Sequence, residues 1–244
     1  MTSGISATHT SEAGTGRLTI NSGTLTTGSA YVGRQQGSDG DALVHGAWNI
    51  NGLLAVGESG KGRLLVEDSG SLQSLSGQVG GFDSFGAPDG ELVVDGTSWI
   101  ISGFINILRN GRLEIADGEL QVNGVFAGGN DPFQPTVRID GTTLATRATV
   151  SLTNSTMTSA GLLLVGDNAY GKLTIGEGST LTNPAGVLGF YSTGEAEVEV
   201  NGGTWNNTGK LTVGSGGKAK LIVRDGGLLT SNTSIIADDA SSIA

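Results

Sequence analysis

The sequence predicts an all-β chain wound as a right-handed parallel β-helix of nine or ten coils. Three observations carry that expectation. Short strand-like runs recur at a near-constant spacing, their apolar residues alternate with polar ones, and glycine punctuates each run. The first apolar residues of the runs are Leu18, Ala42, Leu64, Leu92, Leu113, Val137, Leu173, Val198 and Leu221, with steps of 24, 22, 28, 21, 24, 36, 25 and 23. The long step holds a further alternating run, Val150 and Leu152, which is either an extra copy or a displaced second strand.

Within each copy the residues read as two short strands, each followed by a glycine-rich turn. Leu64-Leu65-Val66, Glu91-Leu92-Val93-Val94 and Leu113-Glu114-Ile115 fit strands with one buried face. Many copies close on an aliphatic residue and a glycine: Val32-Gly33, Val56-Gly57, Val79-Gly80, Val165-Gly166, Leu188-Gly189 and Val213-Gly214. Asp95-Gly96, Asp117-Gly118, Asp140-Gly141 and Asn201-Gly202 mark sharp turns. Those pairs also suit antiparallel hairpins, so a propeller or large sandwich is the fallback. A constant unit repeated many times favours stacked coils, because stacking places like over like and satisfies each strand through its neighbours. Residues 1–15, rich in Ser, Thr, Gly and Ala, read as a flexible segment or partial cap. Residues 16–244 read as one domain of about 22-residue repeats.

The run GGTWNNTGKLTVGSGGKAKLIVRDGGLLTS resembles the repeats of type V secreted passenger domains, the autotransporter adhesins and their relatives. The resemblance spans residues 16–237. It implies a β-helical passenger displayed on a bacterial surface, extracellular, serving adhesion, autoaggregation or biofilm formation. The membrane link would run only through a C-terminal outer-membrane barrel that this sequence lacks. The last ten residues follow a strand with no polar cap, so a segment cut from a longer passenger is expected.

Composition narrows the chemistry. The chain has 244 residues, 23 acidic against 13 basic, and a net charge of −10. Without a basic cluster, nucleic acid is not an expected partner. Aromatics are 5 % and cysteines zero, so the core must be a thin stack of Leu, Val and Ile held without disulfides. No run of 18 apolar residues is present to cross a membrane as a helix. Two histidines, His9 and His45, are too few and too far apart for a zinc site. His45 occupies a turn position that Asp95 and Asn201 hold in other copies. Asp39-Gly40-Asp41 offers oxygens for calcium but lacks the spacing of a calcium loop. Carboxylates occur singly in turns, with no nucleophile elbow, so no catalytic residue, no metal and no cofactor is expected.

In a regular solenoid the loops after the closing glycines leave one corner and stack into an edge. Per-repeat variation on one face of a repeat protein often forms its binding face. The candidate partner-binding residues on that edge are Asp39, Asp41, Phe82, Asp83, Phe85, Asp89, Asp131, Phe133, Tyr170, Phe190 and Tyr191. The expected function is a non-enzymatic adhesin or self-association segment, acting through these loops or through a polar face. Its partners would be other copies of itself, or a glycan or protein of a host surface or matrix. A spacer stalk for a distal domain and a polysaccharide-active enzyme are the alternatives.

Overall fold

A computed structural model describes residues 5–10, 14–81, 88–124 and 135–238. The chain is a parallel β-solenoid of nine coils. The anchors Leu18, Ala42, Leu64, Leu92, Leu113, Val150, Leu173, Val198 and Leu221 lie side by side in one parallel sheet. At the coil spacing of a β-sheet, nine coils make a rod about 40 Å long. Among the described residues the strands of successive coils pair in parallel, which removes the hairpin alternative. The antiparallel exceptions are Ile5–Thr10, which pairs with Thr15–Ile20 along the edge of the first coil, and an isolated bridge between Gly81 and Arg109.

Two sequence expectations change. Val150, not Val137, continues the anchor column after Leu113. Val137 instead pairs with Ile105 and Leu163 on another face. Coil five is long because it carries an insert between Glu119–Val122 and Val137–Ile139, and another around the 3-10 turn Leu144–Thr146. The second correction is that each coil has three strand segments, not two. In coil four they are Asp89–Asp95, Ser98–Ile101 and Ile105–Ile107. In coils two, three, eight and nine the second and third segments run together as Ala47–Val56, Ser71–Val79, Thr204–Val213 and Leu228–Ile236, with register shifts at Ile50/Leu53 and Asn207/Lys210.

The three segments enclose a continuous apolar core. Leu64, Leu92, Leu113 and Leu173 of the first face are fully buried, as are Leu72, Trp99, Leu120 and Trp205 of the second and Ile105, Ile107, Val137 and Leu163 of the third. Each such side chain contributes roughly 1.5–3 kcal/mol by leaving water, so the column and not any single coil holds the rod together. The closing glycines turn the chain into the next coil. Gly57 has φ +70°, and a Cβ there would lie 2.4 Å from the Cα of Gly90 in the first segment of coil four, so both conformation and space demand glycine.

Candidate functional site

The loops that follow the third segments lead to the first segment of the next coil, so they share one corner. Among the described residues, the expected binding residues do not all lie at that corner. Asp39 and Asp41 lie on an extended strand, Asp39–Val44, which spreads their carboxylates along the first face rather than closing them around a cation. Asp41 is ion-paired with Arg17 at 2.9 Å. Asp89 is exposed at the start of Asp89–Asp95. Tyr170 is buried, not a loop contact; its hydroxyl donates to Glu197 at 2.5 Å. Phe190 and Tyr191 do sit at the corner, edge to face at 4.6 Å, with Tyr191 half exposed. Phe82, Asp83, Phe85, Asp131 and Phe133 lie outside the described residues.

Stacking brings together groups that are remote in sequence. His45 Nε2 lies 2.9 Å from Glu67, within hydrogen-bond distance, and 3.7 Å from Asp68 in the next coil, at a corner of the first face. The three groups each offer a ligand atom, all within 4.8 Å of one another. Nearby on the third face, the Arg34 guanidinium stacks over the ring of Tyr31 at 4.2 Å.

The first face carries a charge ladder. In register, one residue ahead of each anchor, stand Arg17, Asp41, Arg63, Glu91, Arg112, Thr149, Lys172, Glu197 and Lys220. Glu91 pairs with Arg63 at 3.2 Å and with Arg112 at 2.8 Å, and Lys172 pairs with Glu197 at 2.8 Å. Opposite charges directly across a sheet stabilise it and like charges destabilise it, so alternation is the favourable order. The bonds from Lys172 and then Tyr170 hold the Glu197 carboxyl below the usual carboxylate range. Burial, then the bond to Glu197, pushes the Tyr170 hydroxyl up to about 12. At the third corner, Asp140 accepts backbone N–H bonds from Asn168 and Ala169, and burial raises its pKa despite them.

The second face is different. Its two outward columns run Thr24, Ala47, Ser71, Ser98, Glu119, Thr156, Thr180, Thr204, Leu228 and Thr26, Asn49, Gln73, Ile100, Gln121, Thr158, Thr182, Asn206, Thr230. Glu119 is the only charge among these eighteen residues. Most are Thr, Ser, Asn or Gln, and neighbouring coils bond across the column where Thr230 donates to Asn206 at 3.2 Å.

These features define the class: a parallel β-solenoid whose outer faces, rather than a deep cleft, carry its distinguishing chemistry. No protein-family model matches the chain, and no curated protein does. A solved structure returned by comparison is a TibC-glycosylated fragment of TibA, at 14 % identity over 88 % of this chain and 94 % of that one. Its TM-score of 0.13 carries no structural argument. No helix among the described residues is long and apolar enough to cross a membrane, which leaves β-barrels unaddressed.

Proposed function

We propose that this chain is a non-enzymatic segment of a bacterial surface adhesin, a type V secreted passenger held outside the cell, and that it acts by self-association along its second face. The observation that carries the proposal is that face's near-absence of charge in a molecule of net charge −10. Two copies repel wherever their acids approach, and least where two uncharged faces meet. Thr, Ser, Asn and Gln side chains both donate and accept, so any pair of such faces finds hydrogen-bond partners. Each contact is weak, but many along one rod add through multivalency without a deep pocket. Cells displaying the wild-type chain should clump and settle, and Thr158→Lys with Thr182→Lys should keep them suspended at equal surface expression. Unchanged settling of the doubly substituted cells would reject the face as the adhesive surface.

The spacer alternative draws on a different observation, the unbroken core through all nine coils, which makes the rod stiff. On that reading the Lys substitutions would leave adhesion intact.

A further inference from the structure

The charge ladder of the first face has one gap. Thr149 stands between Arg112 and Lys172, where alternation calls for an acid. Two residues before Thr149, just ahead of the strand Ala148–Thr153, is Arg147, which is exposed. An open groove of about 500 Å³ lies over this gap, lined by Lys61, Asp89, Asn110, Arg112, Arg147 and Thr149. Arg112 is fixed at its wall by Glu91 at 2.8 Å and Glu114 at 2.6 Å. Among the described residues, neither Lys61 nor Arg147 lies within ion-pair distance of a carboxylate. A strongly acidic protein thus lines this groove with three cations and a single acid, Asp89.

We propose that this groove binds an acidic sugar, with a carboxylate or sulfate seated over Thr149 between Arg112 and Arg147. The ligand's anion supplies the charge the ladder lacks, Arg147 supplies its charge-assisted bond, and Lys61, three coils away, meets a second anion farther along the sugar chain. Asn110 donates its amide to the Pro88 carbonyl at 2.9 Å, which leaves its side-chain oxygen to accept from a sugar hydroxyl. Asp89 is a second such acceptor. Charge spacing favours a sugar over a nucleic acid. Duplex DNA carries a charge about every 1.7 Å and would meet Glu91 and Glu114 beside the groove. A polysaccharide with at most one charge per ring instead matches cations set by coils about 4.8 Å apart.

The probes are a galacturonate hexasaccharide, a kappa-carrageenan hexasaccharide (one sulfate per two rings and no carboxylate), neutral maltohexaose and inorganic sulfate, titrated calorimetrically into the whole chain. At least one acidic hexasaccharide should bind and maltohexaose should not; which of the two binds more tightly identifies the anion. Arg147→Gln should weaken binding about tenfold, the worth of one charge-assisted bond. Thr149→Glu is the sharper variant. It completes the ladder, so it should hold or raise the thermal midpoint while abolishing binding, an outcome that misfolding cannot imitate. Wild-type affinity in Thr149→Glu, equal binding of maltohexaose, or no binding of either acidic sugar would overturn the proposal. So would sulfate alone competing as well as a hexasaccharide. Loss of self-association instead of sugar binding in Thr149→Glu would assign the groove to a second copy and overturn it too.

Discussion

The indole N–H of Trp205 donates to Asn183 Oδ1, one coil below, at 2.6 Å. The same arrangement recurs at the other two tryptophans: Trp99 donates to Ser74 at 3.0 Å and Trp48 to Thr27 at 3.2 Å. Each tryptophan also stands above a coil whose third segment offers a small inward residue, Gly186, Gly77 or Ala30. Where the coil above has Leu or Met instead, that position is Leu54, Ile105, Val137, Leu163 or Leu211. A large ring in one coil is therefore matched by a hydrogen-bond acceptor and a missing side chain in the coil beneath it.

Gly77→Ala follows from that matching. A Cβ at Gly77 would lie 2.8 Å from the Trp99 ring, so overpacking should cost about 1–3 kcal/mol. Gly77 is not in the left-handed region, so the cost is space and not backbone strain. In a Trp99→Leu background the same change should be neutral or stabilising. Urea denaturation of the four variants of this cycle checks the coupling, and equal costs in both backgrounds would refute it.

Asn183 holds more than one partner. Its amide donates to Asn207 Oδ1 at 2.9 Å and to the Ala185 carbonyl at 2.6 Å. Asn183→Leu should strand the buried Trp205 N–H and cost about 1–3 kcal/mol, read as a lower urea midpoint. Trp205→Phe added to it removes the orphaned donor, so the double variant should lose less than the two single losses summed.

Stability should depend on pH through Glu197 from both sides. Its depressed folded pKa means the stabilisation is present above the unfolded carboxylate value and lost as pH falls through the folded one. Tyr170 has the opposite sign: raised from 10.0 to about 12, it stabilises below its unfolded pKa and the effect is lost as pH rises through about 12. Glu197→Gln should therefore lower the thermal midpoint at neutral pH and converge with wild type in acid. A constant difference across the acid range would contradict the assignment.

The ladder itself predicts a small, salt-sensitive effect. Glu91, half-buried, is shared by the exposed Arg63 and Arg112, so Glu91→Gln should cost no more than about 1 kcal/mol and less in high salt. Glu91→Lys, which sets three cations in a row, should cost more. Thermal melts at low and high ionic strength separate the two.

The anchors were legible in the sequence because Leu64, Leu92 and Leu113 face one core in one register, and the closing Val-Gly pairs because the chain must turn there. Val137 misled because coil five carries inserts at two corners, which shift the next first-face strand to Val150. Fused strands such as Ala47–Val56 hide the bend that separates two faces. The tryptophan partners lie 21 to 25 residues away, so no local pattern announces them. The same remoteness hid the pairing of His45 with Glu67 and of Tyr170 with Glu197. The charge ladder had a readable signal: Arg17, Asp41, Arg63, Glu91 and Arg112 each sit one residue before an anchor, alternating in sign.

The central claim is a rod that associates through its uncharged face. Small-angle scattering of the purified chain over a concentration series, beside the chain with Thr158→Lys and Thr182→Lys, tests it most directly. The particle should be slender when dilute, and its cross-section should grow with concentration for the wild type and not for the substituted chain. A compact globule would contradict the solenoid, and a wild type that stays a single rod at every concentration would contradict self-association.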